Sequence, residues 1–111
     1  MRSVDSSSNK LIEQMSVSVP PASVLLRAAQ VSVTEDKPIY LDYYADSLEK
    51  KCCIGVQEST KYLVKSDSEY TSTIQSVFKC ETCYIVATEN SLYIVSTDIP
   101  IKKILASKPE V

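Results

Sequence analysis

The chain contains no histidine. No imidazole is therefore available as a general base or metal ligand. Ser-His-Asp and Cys-His catalysis are excluded on that ground. There is a single glycine, Gly55. Walker-type and dinucleotide-type phosphate loops need several glycines where the backbone turns tightly or approaches the ligand, so neither can form here. Tryptophan is also absent. Apolar runs such as Val24–Leu26 and Tyr84–Val86 fall far short of the roughly 18 residues that mark a membrane span. There is no excess of positive charge: 12 basic residues face 14 acidic ones, for a net charge of −2. A nucleic-acid-binding surface usually carries a basic excess, so nucleic acid is not the expected partner, although a local basic patch is compatible with these numbers. The polar first ten residues, with Arg27 interrupting the one candidate apolar stretch, do not make a secretory leader. An intracellular, reducing setting is the expectation.

What is present fits one globular domain. The 111 residues are 44% hydrophobic and 23% charged, ordinary values for a single folded unit. Residues 1–21 read as a polar, Ser-rich arm that ends in Val19-Pro20-Pro21. Within it, Leu11, Ile12 and Met15 are apolar anchors able to dock on a neighbour or along the domain itself. Residues 22–111 read as one β-rich domain with a preceding helix and a C-terminal tail. Val24, Ala28 and Val31 have helical spacing. The alternation in QVSVTE then suggests that the helix gives way to extended chain near Val31.

From Lys37 onward, six segments are rich in β-branched, aromatic or cysteine residues. They are IYLDYY (39–44), KCCIGVQ (51–57), KYLVK (61–65), STIQSVFKC (72–80), CYIVAT (83–88) and SLYIVS (91–96). Short polar turns separate them. The expected fold is mainly β: a small antiparallel meander, closed as a barrel or folded as a two-layer sheet, of five to six strands. Alternation places Ile39, Leu41 and Tyr43 on one face, and likewise Ile54 with Val56, Ile74 with Ser76 and Phe78, Ile85 with Ala87, and Leu92 with Ile94. The segment Tyr84–Val86 is apolar on both faces, which implies a second buried face covered by the helix or by a partner. With one glycine, positive φ falls to Asn90, Asp46, Asp67 and the serines, in loops slightly longer than the tightest hairpins. Gly55 lies inside a strand, the mark of a bulge or a close backbone approach. After Pro100, Ile101, Ile104 and Leu105 have the spacing of one helical turn.

Three constellations could carry chemistry. Cys52 and Cys53 are adjacent, and Cys80 and Cys83 form a C-x2-C pair. Four cysteines in two pairs can hold structural zinc, but adjacent residues of a strand point to opposite faces, and Tyr84 stands where knuckles favour a small residue. A disulfide is a second reading, since a turn at Glu81-Thr82 would set Cys80 opposite Cys83. Free, largely buried thiols are the third reading and the favoured one in a reducing compartment. Seven of the eight aromatics are tyrosine. Exposed tyrosines could stack bases, but half-buried strand positions and protein interfaces suit them better. Tyr40 and Tyr44 are the expected partner contacts. Asp42, Asp46 and Glu49 cluster near Lys50 and Lys51 without the spacing of a calcium loop, and read as a solvated turn. The stretch from Ser66 to Ser72 reads as a polar loop carrying hydroxyls open to phosphorylation.

The segments KPIYLDYYADSLEKK (37–51), LVKSDSEYTSTI (63–74) and ENSLYIVS (89–96), in that order, resemble a family of small proteins encoded by nucleocytoplasmic large DNA viruses of algae and protists, and by related giant viruses. The resemblance spans Lys37 to Ile101, rather more than half the chain. It does not extend to the arm or the cysteines, and it brings no functional residues with it. It implies a viral protein, a minor component of the virion, located in the particle or the host cytoplasm. The function expected from residues and resemblance together is non-enzymatic and without a cofactor. It is that of a structural or interaction protein whose partners are proteins, capsid or other virion proteins among them. The alternatives are a small barrel binding single-stranded nucleic acid and a zinc-binding regulator built on the four cysteines.

Overall fold

The structure is a computed structural model, and it describes residues 19–66 and 68–104. Most of the arm, with Leu11, Ile12 and Met15, lies outside the described residues, as does Leu105.

Helix α1 spans Ala22–Glu35. Pro21 stands at its N-cap, and the Pro21 carbonyl accepts from the Val24 and Leu25 amides. Val24 and Ala28, one turn apart, are fully buried. The helix does not give way at Val31. It continues to Asp36, which adopts the left-handed conformation at φ 57° and closes the helix by donating to the Ser32 carbonyl. Lys37 N–H donates to the same carbonyl, and Pro38 follows, where a helix cannot continue. The alternation of Val31 and Val33 had suggested a strand. Val33 is instead left on the solvent side, 84% exposed.

Strand β1 is only Ile39–Tyr40. The expected strand through Tyr44 is cut short by a turn at Asp42–Tyr43 and by the short helix α2, Tyr44–Leu48. Leu41 is therefore 41% exposed and shares no strand face with Ile39 or Tyr43. The remaining strands are β2 (Cys53–Gln57), β3 (Thr60–Ser66), β4 (Glu69–Tyr70), β5 (Ile74–Cys80), β6 (Cys83–Thr88), β7 (Leu92–Ser96) and β8 (Ile101–Lys103). There are eight strands in all among the described residues, not five or six. Two of the extra ones lie where a polar loop (β4) and a helical turn (β8) were expected.

The strands form two four-stranded sheets, ordered β1-β7-β6-β5 and β4-β3-β2-β8, and neither closes into a barrel. Each contains an antiparallel meander, β5-β6-β7 in the first and β2-β3-β4 in the second. Each meander is then extended by a parallel strand from outside it. Ile39 pairs with Leu92, and Ile54 with Ile101. The fold is therefore mainly β with mixed sheets.

The first sheet is the middle layer. On one side Val86 and Val95 pack against Ile54 and Leu63 of the second sheet, together with Tyr43, Cys52 and Ile99. On the other side Cys83, Ile85 and Ile94 pack against Val24 and Ala28 of α1, together with Tyr44. This is why β6 and β7 are apolar on both faces, and the helix is what covers the second face.

Two details hold these layers in register. Ser47 is fully buried. Its Oγ donates to the Tyr44 carbonyl at 2.6 Å and accepts from the Ser96 amide at 2.9 Å, pinning α2 to β7. The β5–β6 pairing shifts between Ile74 and Ser76, so Gln75 has no partner in the ladder. Lys37 Nζ donates to Gln75 Oε1 at 2.9 Å and to the Thr88 carbonyl at 2.7 Å, tying the helix exit to this bulge.

The turns are tighter than expected. Gln57 pairs with Thr60, and Cys80 with Cys83, leaving two-residue hairpins. Among the described residues the left-handed ones are Asp36, Lys50, Glu58 and Glu81, and neither Asn90 nor Asp46 is among them; Asp67 lies outside the described residues. Gly55 sits at a regular ladder position, so it marks a close approach and no bulge. A Cβ there would fall within the Ile104 side chain and 3.0 Å from Val64 Cγ2.

Candidate interaction surfaces

The four cysteines do not converge. Cys52 lies between the two sheets, and Cys83 lies under α1 on the far side of the first sheet. Cys80 and Cys83 face each other across the Glu81-Thr82 turn, and all four thiols are unbridged. Among the described residues, no three Cys, Asp or Glu come together so as to hold a metal ion. Burial pushes the Cys52 thiol up to about 11, with Asp46 adding to the shift. Burial also raises Cys83, opposed by a hydrogen bond from Thr82. Both are protonated, apolar packing groups near neutral pH.

The tyrosines divide by layer. Tyr43 is buried between the sheets, edge-on to Tyr93 with centroids 5.2 Å apart. Burial, then Tyr93 and Asp42, pushes its phenol up to about 12. Tyr44, the next residue, is buried on the helix side, so it cannot serve as the surface contact expected of it. Tyr40 is 47% exposed and stacks obliquely on Tyr93. Tyr70 is exposed and packs edge-on against Tyr62. No continuous aromatic shelf results.

The acidic residues around α2 are engaged by lysines. Lys65 Nζ lies 3.5 Å from Asp46 and 3.6 Å from Glu69, and 4.6 Å above the Tyr43 ring. Burial lowers the Lys65 pKa, but Glu69, Asp46 and Asp42 outweigh it, and the net shift is upward. Lys51 pairs with Glu49 at 2.9 Å, which raises its pKa.

Two surfaces remain. The first is the outer edge of β5. Among the described residues β5 pairs only with β6, and Gln75, Ser76, Val77 and Lys79 are exposed. The second is a groove of about 300 Å³ beside β2 and β8, lined by Lys50, Lys51, Lys65, Lys102 and Lys103. The overall charge of −2 hid this groove at the sequence level. Its signal was two Lys-Lys pairs far apart in the chain, which the parallel pairing of β8 with β2 brings together.

No helix among the described residues is long and apolar enough to cross a membrane. Comparison with protein-family models, with curated proteins and with solved structures finds no match.

Proposed function

We propose that the protein is a non-enzymatic structural or interaction protein, a minor component of a large DNA virus particle, that joins its neighbours through the edge of β5 and through its N-terminal arm. The observation that carries the interaction reading is β5 itself. It is a seven-residue strand with one ladder side unpaired among the described residues. An open edge presents a row of amides and carbonyls that an extended segment of a partner can complete. Recognition of this kind depends on backbone geometry and tolerates varied partner sequences. The bulge at Gln75 and the charge of Lys79 limit indiscriminate pairing, as edge strands generally require. The viral assignment rests on the resemblance of residues 37–51, 63–74 and 89–96. Leu11, Ile12 and Met15 would supply apolar anchors on the arm, and Tyr40 an exposed aromatic contact.

Cross-linking and mass spectrometry of the protein from its native source test this reading. The expected result is cross-links from Lys79, on β5, and from Lys10, on the arm, to capsid or other large assembly proteins. Recovery as a free monomer, or with nucleic acid alone, would overturn it.

A further inference from the structure

The groove beside β2 and β8 concentrates charge in a way the whole chain does not. Five of the chain's 12 basic residues line it, and among the described residues no carboxylate does. Not all five charges are equally available. Lys65 is held by Asp46 and Glu69, and Lys51 by Glu49. Lys50, Lys102 and Lys103 are exposed and make no ion pair among the described residues. Three ammonium groups with no counter-charge among the described residues, set around one concavity, repel one another. An anion placed among them relieves that repulsion and gains charge-assisted hydrogen bonds.

The backbone assembles this arrangement. Lys50 holds the left-handed conformation at φ 58°, at the turn out of α2. Lys102 pairs with Gly55 on the parallel ladder. Because Gly55 has no Cβ, Ile104 lies directly over β2. Ile104, Val64, Pro100, Cys52 and Cys53 make up the apolar part of the lining.

We propose that this groove binds a compact ligand carrying several phosphate groups. Its volume of about 300 Å³ is at the small end for ligand cavities. Three uncompensated lysines match a multiply charged head better than a single carboxylate. No aromatic side chain lines the groove, so it lacks the stacking platform that single-stranded nucleic acids use. The ligand is recognised by its phosphates.

Inorganic tripolyphosphate is the probe, titrated calorimetrically against the full chain at low and moderate salt, with a thymidine oligonucleotide in parallel. Saturable one-to-one binding of tripolyphosphate is expected, weakening with salt. Lys50→Glu and Lys102→Glu should each weaken it by about tenfold or more, the loss of a charge-assisted contact. Lys61→Glu makes the same charge change outside the groove and should leave affinity within about twofold. Maleimide labelling of Cys53, read by mass spectrometry, should slow when the probe is bound. The proposal is overturned by absence of saturable binding, by equal losses in groove and control variants, by unprotected Cys53, or by tighter binding of the oligonucleotide than of tripolyphosphate.

Discussion

Ile74 and Phe78 stand on the same strand at even spacing, yet they face opposite sides of the sheet. Ile74 packs between the two sheets, and Phe78 packs beneath α1 with Cys80. Side chains at even spacing normally share a face. The unpaired Gln75 changes the count: Ile74 pairs with Thr88, but Ser76 pairs with Ala87. One extra residue thus lets a single strand supply both layers.

Deleting Gln75 should remove the bulge without moving Ile74. It would then stand at odd spacing from Phe78 in a regular ladder, still paired with Thr88 and still between the sheets, and the expected loss of stability is below about 1 kcal/mol, the Lys37 contact alone. Gln75→Ala keeps the bulge and removes only the Lys37 contact, at a cost below about 1 kcal/mol. Urea unfolding of both variants checks this. A deletion that costs about 2 kcal/mol, the worth of a buried aliphatic side chain, would mean that the ladder does not close up and that Ile74 has lost its place.

Ser47 offers a second measurement. Replacing it with alanine leaves the buried Ser96 amide without its acceptor. An orphaned buried donor costs roughly 1–3 kcal/mol. Ser68→Ala, at an exposed position, should change stability by less than about 0.5 kcal/mol. A Ser47→Ala variant as stable as the parent would show that Ser96 finds another partner.

Stability should decline on the alkaline side, and in a defined window. The Cys52 thiol is raised from 9.0 to about 11. Between those values the unfolded chain has lost the proton and the folded chain retains it. The unfolded state then binds fewer protons, so stability falls as pH rises. Tyr43, raised from 10.0 to about 12, extends the fall upward. Urea midpoints from pH 7 to 11 should decline less steeply above pH 9 for Cys52→Ala than for the parent, whatever the variant's stability at neutral pH. Parallel curves would remove Cys52 as the cause.

Strands β6 and β7 were the most legible part of the molecule. Their two-sided apolar runs carry both their extended conformation and their burial between layers. Gly55 was legible as either a bulge or a close approach, and only its regular ladder position and the Ile104 side chain over it decide for the second. The edges were not legible. Ile101–Lys103 has no pattern of its own, and it is a strand because β2 offers an unpaired ladder beside it. IYLDYY alternates as a strand should, but the chain turns at Asp42–Tyr43 and enters α2 at Tyr44, which the alternation does not show. The turn residues were misassigned because a hairpin between well-paired strands can force Glu58 or Glu81 into a left-handed conformation that neither prefers. The lysine groove depends on a pairing between distant segments, and composition averages it away.

The parallel strands also govern the order in which the molecule can be made. Ile39 waits for Leu92, and Ile54 waits for Ile101. Helix α1 emerges from the ribosome well before Ile85 and Ile94, the residues that will cover Val24 and Ala28. Such distant pairings form late because the intervening chain must be ordered first. A growing chain therefore carries an uncovered helix stripe and half-built sheets until nearly all of residues 19–104 have been synthesised. Premature termination should yield no folded fragment, and the cell will meet this protein either complete or as a target for proteolysis.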